Sequence, residues 1–122
     1  MHELGIMTGV VESVSQAARD AGATKVLKVS LSVGVMTEAS EDALVFAFEA
    51  LSETEPIMED AQLEIVMVEP RSRCLECGAV FDHDRFHVSC PVCGGFAELI
   101  DGKELRIDSI EVDIPDEAEA QA

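Results

Sequence analysis

The chain has 122 residues, with 8 Lys+Arg against 25 Asp+Glu and a formal net charge of −17. That surplus of acid argues against nucleic acid as a partner, because binding to a phosphate backbone rests on Lys and Arg displacing counterions. No apolar run approaches the ~20 residues that a membrane-spanning helix needs, and units below about 40 residues rarely fold without a staple. The chain therefore reads as one modest core with a small metal-stapled appendage and no membrane segment.

In chain order, Leu4, Met7, Val10, Val11, Val14, Ala17, Ala18 and Ala21 recur at spacings of three and four, which predicts an amphipathic helix ending at Gly22. Leu27, Val29, Leu31 and Val33 alternate with Lys28, Ser30 and Ser32, the period of a strand with one buried face, and Gly34 stops it. Ser40 is placed to cap a second helix whose first turn carries Glu41 and Asp42. Its buried stripe is Leu44, Ala47, Phe48 and Leu51, before Pro56. Residues 61–69 return to strand character and Pro70 ends them. Gly102 leads into a last strand with Leu105 and Ile107, then Ile110 and Val112 out of phase, which suggests a bulge across Asp108-Ser109. Residues 115–122 form an acidic tail without apolar pattern, expected to be disordered.

This order predicts an α+β fold: two helices packed on a small three-stranded sheet, with a zinc-ribbon module inserted between two of its strands. The expected division is an α/β domain at 1–70 and 98–114, the ribbon at 71–97, and the tail at 115–122.

The ribbon is read from Cys74, Cys77, Cys90 and Cys93, spaced C-x2-C-x12-C-x2-C. Each C-x2-C turn offers two sulfurs from one tight loop and is followed by Gly78 or by Gly94-Gly95, as in zinc ribbons. Four thiolates leave no position for water or substrate, so the expected role is structural zinc. A rubredoxin-like iron site and two disulfides are the other uses of such a set. Met1-His2-Glu3 opens without a basic or apolar leader, which weakens the disulfide reading and points to the cytoplasm.

A second metal candidate is His2. A terminal amine, the adjacent backbone nitrogen and a position-2 imidazole form fused chelate rings, and tetragonal nitrogen sets suit Ni(II) or Cu(II). The first N–H groups of a helix have no intrahelical partner, so metal and helix do not compete for them. The plainer reading is a solvated terminal residue. His83 and His87, in the ribbon loop, read as surface histidines, with exchange against the thiolates at low pH as the sharper alternative. No G-x-S-x-G, H-E-x-x-H or phosphate-cradling loop occurs, and pairs such as Glu41-Asp42 and Glu59-Asp60 read as solvated faces, so no enzyme is expected.

Met1-His2-Glu3-Leu4, Phe46-Ala47-Phe48-Glu49, the four cysteines and the segment from Glu104 to Val112 together resemble the HypA/HybF hydrogenase nickel-incorporation proteins, over Met1 to about Ile114. The resemblance implies a nickel metallochaperone that helps deliver Ni(II) to the large subunit of a [NiFe]-hydrogenase and works with an accessory GTPase, a homodimer being left open. It places nickel on the His2 side chain, the Met1 amine and the backbone nitrogens of His2 and Glu3, and structural zinc on Cys74, Cys77, Cys90 and Cys93. Two features depart from the family: Val35 follows Gly34 where an acidic residue is often found, and the tail beyond Ile114 is longer. The competing functions are a zinc-ribbon adaptor or regulatory module without nickel, and a hydrolytic enzyme with an open zinc position.

Overall fold

A computed structural model describes residues 3–84, 86 and 89–115. The elements are α1 (Glu3–Asp20), β1 (Lys25–Gly34), α2 (Glu41–Ser52), β2 (Gln62–Val68), β3 (Arg71–Cys74), β4 (Val80–Asp82), β5 (Ala97–Asp101) and β6 (Leu105–Asp113), with 3-10 turns at Val35–Thr37 and Pro56–Met58. The acidic tail, expected to be disordered, lies from residue 116 onward outside the described residues.

Two sheets form, one in the order β2-β1-β6 and the other β4-β3-β5. The first is the expected three-stranded sheet, and the second belongs to the cysteine-bearing segment. Residues cluster into two compact units. One comprises Ser32–Glu38 and Val66–Arg106, the other the stretch up to Leu31, Ala39–Ile65 and the stretch from Ile107 onward.

In the helical unit, α1 ends as its sequence predicts. Gly22 takes φ 79°, and the N–H groups of Gly22 and Ala23 return to the carbonyls of Arg19 and Ala18 at 3.0 and 2.9 Å, the paired bonds of a Schellman stop. Ser40 caps α2, accepting from the Ala43 N–H at 3.4 Å, with Glu41 and Asp42 in the first turn complementing the helix dipole. The helices pack against each other. Met7, Val10, Val11, Val14 and Ala18 of α1 and Leu44, Ala47 and Phe48 of α2 are buried together with Val26, Val29, Leu31 and Met58. The ion pairs Lys25–Asp60 and Lys28–Glu64 advance together along β1 and the approach to β2, the sense of a parallel pair joined through α2 as a crossover helix. The Thr24 N–H bonds the Asp113 carbonyl at 2.9 Å and Gly34 bonds Glu104 at 2.7 Å, so β6 runs antiparallel to β1.

The expected apolar faces need correction at several positions. Alternation puts Leu27 on the buried face of β1, yet it is 42% exposed while Val26 is fully buried. The step from Val26 to Val29 is odd, so strict alternation fails across Leu27-Lys28. Both Val26 and Leu27 are apolar, and only packing chooses between them. Leu4, Ala17 and Ala21 fall at the margin of the α1 stripe and are exposed, while Ser15 is buried in it. On β6, an edge strand, Leu105 and Ile107 are exposed while Ile110 and Val112 are half-buried.

In the other unit, two glycines cross. A Cβ on Gly34 would fall inside 3.0 Å of the Gly102 carbonyl and the Lys103 nitrogen. Gly102 itself takes φ 120° and accepts the Met36 N–H at 2.8 Å. Gly34 therefore ends β1 for steric reasons, where its own φ of −74° would suit any residue.

Candidate metal centre

The cysteines sit on two loops of one design. β3 delivers Cys74, whose N–H bonds the Ala79 carbonyl at 2.8 Å and whose carbonyl accepts the Gly78 N–H at 3.1 Å. Cys90 repeats both contacts with Gly95 at 3.2 Å and Gly94 at 2.8 Å. Gly78 and Gly94 take φ 76° and 72°, left-handed values that a Cβ penalises, so each C-x2-C-G loop requires its glycine. β3 pairs antiparallel with β4 on one side and with β5 on the other. Ile100 is an extra residue between the pairs Arg71–Asp101 and Ser72–Leu99, a bulge that sits beside the Arg71–Asp101 ion pair at 2.8 Å. The Leu75 N–H, donated to Phe96 at 3.0 Å, ties the first loop to the strand that follows the second.

These constraints bring the four sulfurs within 4.8 Å of one another. Cys74 and Cys93 are 3.4 Å apart and Cys77 and Cys90 3.6 Å, near the roughly 3.8 Å edge of a tetrahedron with ~2.3 Å metal–sulfur bonds. All four cysteines are free, and their separations far exceed the ~2.05 Å of a disulfide. The disulfide reading is thereby removed. Cys74 and Cys90 are buried, while Cys77 and Cys93 face solvent.

The electrostatics follow the loop design. The N–H groups of Cys77 and Glu76, with sulfur at 3.4 Å from each nitrogen, hold the Cys74 thiol down to about 6. Cys93 and Val92 lower Cys90 in the same way. At Cys93 the Gly95 N–H favours the thiolate, but the neighbouring Cys74, burial, Cys77 and Cys90 outweigh it and push the thiol up to about 12. Cys77 is raised by Cys74 and Cys90 against the Ala79 N–H. Four thiolates this close repel one another, and a divalent cation among them cancels that repulsion. The donor set fits a tetrahedral metal ion, and with four sulfurs it leaves no position open.

His83 is not part of this cage. Its Nε2 lies 2.7 Å from Ser72 Oγ and its Nδ1 2.6 Å from the Asp84 carbonyl. A carbonyl only accepts, so Nδ1 carries the proton and both ring nitrogens are engaged. The ring also lies against Phe81, centroids 5.6 Å apart. The spacing of the histidines gave no sign of the Ser72 contact, which depends on the β3–β4 register. His87, Met1 and His2 lie outside the described residues. Glu3 opens α1, and its Oε1 accepts the Ser40 N–H at 3.1 Å, tying the start of α1 to the cap of α2.

A family model described as hydrogenase/urease nickel incorporation, metallochaperone, HypA, matches residues 1–112. The chain belongs to the HypA family. HypA proteins are metallochaperones rather than enzymes, and their work is nickel incorporation in hydrogenase maturation. The chain is 38% identical over 115 residues to the hydrogenase maturation factor HypA of Caldanaerobacter subterraneus subsp. tengcongensis, covering 93% of this chain and 100% of that protein. It is 37% identical to the HypA of Rhizobium leguminosarum bv. viciae, covering 92% and 99% of the two chains. The solution structure of the Ni metallochaperone HypA from Helicobacter pylori resembles it with a TM-score of 0.69 and 25% identity, over 94% of this chain and 100% of that one. The α+β fold is thus shared with HypA structures. No helix among the described residues is long and apolar enough to cross a membrane.

Proposed function

We propose that this HypA protein holds Ni(II) at its N-terminus and helps insert it into the large subunit of a [NiFe]-hydrogenase in the cytoplasm, while zinc occupies the four-cysteine cage at Cys74, Cys77, Cys90 and Cys93. The observation that carries the reading is the family match over residues 1–112, which takes in both the His2 position and the cage. Closure of the cage supports the division between the metals. A cargo ion leaves by exchange with a receiving protein's ligands, and four thiolates closed around one ion disfavour that exchange. Nickel accordingly belongs on the His2 imidazole, the Met1 amine and the backbone nitrogens of His2 and Glu3. The Glu3 carboxylate, engaged by Ser40, holds the first helical turn in place and leaves the backbone nitrogens to the ion. Zinc, when bound, supplies the cross-link that folds the ribbon at 71–97, an insertion in the domain formed by 1–70 and 98–114. Nucleotide-driven release falls to an accessory GTPase, because the chain has no phosphate-cradling loop.

The test is titration of Ni(II) into untagged, zinc-replete protein and into His2→Ala, followed by heat and by the visible absorption of planar nickel. The expected result is stoichiometric nickel lost in the variant with zinc retained. Equal nickel binding by both proteins refutes the terminal site, and nickel binding by neither leaves a zinc-ribbon adaptor.

A further inference from the structure

The first sheet has the order β2-β1-β6, so β2 is an edge strand, and among the described residues no strand pairs with its outer side. Two clefts lie beside the start of this strand, of about 400 Å³ and about 370 Å³, and both are lined by Phe48, Glu49 and Ala61. Their linings come from α2, the segment that follows it and the start of β2, with no β1 residue among them. The first cleft is rimmed by Glu49, Glu53 and Glu59, and the second continues over Val45 and Leu63.

The carboxylates at the first cleft differ from their neighbours. Glu55 is paired with Arg19 at 3.0 Å, Asp60 with Lys25 and Glu64 with Lys28. Glu59 adds to the field at Lys25. Glu49 and Glu53, both exposed, have no ion pair among the described residues. Ser52 lines the same cleft at 7% exposure, and its hydroxyl has no hydrogen-bond partner, a condition that native structures rarely leave unanswered.

We propose that the outer edge of β2 and these two clefts dock an extended, arginine-bearing segment of a partner protein, which adds to the sheet as a strand. Backbone groups of Gln62–Ile65 supply the ladder. Side chains two residues apart on the incoming strand point to the same face and enter the neighbouring clefts. A divalent ion does not fit, because the only described group of three or more His, Cys, Asp or Glu with ligand atoms within 4.8 Å is the four cysteines. A guanidinium fits better. Its five donors spread over a plane, reach carboxylates that do not converge on a point, and stay charged when partly buried, while its aliphatic stem lies on the apolar wall. The net charge of −17 favours a basic segment over an acidic one and steers its approach. The inference does not depend on where nickel binds.

The probe is a short capped peptide alternating Thr and Arg, with a second version N-methylated on the amides of one edge, and the protein is the full zinc-replete chain. Affinity is read by anisotropy, and hydrogen exchange is read at residues 62–65. Glu49→Gln with Glu53→Gln is expected to weaken binding about tenfold or more, since two charge-assisted contacts are lost. Glu12→Gln with Asp20→Asn removes the same charge from an exposed face of α1 and is expected to change affinity less than about twofold. The plain peptide should slow exchange in β2, and the methylated one should not bind. Equal loss in the two double variants would reduce the effect to diffuse charge and overturn the site. So would equal binding of the methylated peptide, or no binding by about 1 mM.

Discussion

Gly34→Ala isolates the crossing of two backbones that ends β1. The new methyl would lie inside 3.0 Å of Gly102 carbonyl atoms and the Lys103 nitrogen, all backbone groups that a rotamer change cannot clear. At φ −74° and ψ 138° alanine pays no conformational penalty, so the effect is steric alone. Relief requires the two segments to separate, which stretches the Gly34–Glu104 bond of 2.7 Å and the Met36–Gly102 bond of 2.8 Å. Two such bonds at about 1 kcal/mol each, with about 1 to 2 kcal/mol of strain and lost packing, oppose an unfolded-state gain of about 0.7 kcal/mol from replacing glycine. The net expectation is a destabilisation of about 2 to 3 kcal/mol. Urea unfolding of zinc-replete protein measures it, with Gly9→Ala as the counter-experiment. Gly9 is exposed within α1, and nothing lies within 4 Å of its added Cβ, so that change should stabilise by about 0.5 to 1 kcal/mol. A neutral or stabilising Gly34→Ala would refute the close approach.

Other expectations concern metals and the core. Cys74→Ala should abolish stoichiometric zinc and disorder the ribbon amides, because binding energy there is folding energy; metal analysis and an NMR fingerprint check this, and retained zinc contradicts it. Ser15 is 2% exposed in α1 with no partner for its hydroxyl, so Ser15→Ala should stabilise by about 1 kcal/mol in thermal unfolding, whereas a loss of stability would mean that the hydroxyl is bonded. Protons compete with Ni(II) for imidazole and amine nitrogens, so nickel affinity should fall as pH drops through about 6.5, and an unchanged affinity between about pH 7.5 and 5.5 counts against nitrogen ligation. An N-terminal tag left in place should weaken nickel binding while zinc stays; equal affinity after cleavage argues against the terminal amine.

Local sequence was sufficient wherever the physics is local. The α1 stop at Gly22, the Ser40 cap, the two C-x2-C-G loops and the α+β order follow from periodicity, capping and spacing, and the four sulfurs converge because the loops leave them little choice. Tertiary structure alone settled matters that depend on neighbours distant in sequence. It put Val26 rather than Leu27 in the core, since both suit a strand and only the packed helices distinguish them. It made Gly34 a steric necessity through Gly102, paired Ser72 with His83 beside the β3–β4 pair, and set β2 at a sheet edge beside Glu49 and Glu53, which have no ion pair among the described residues. Each of these depends on how segments distant in sequence are placed against one another, and the pattern of one segment contains no trace of the other.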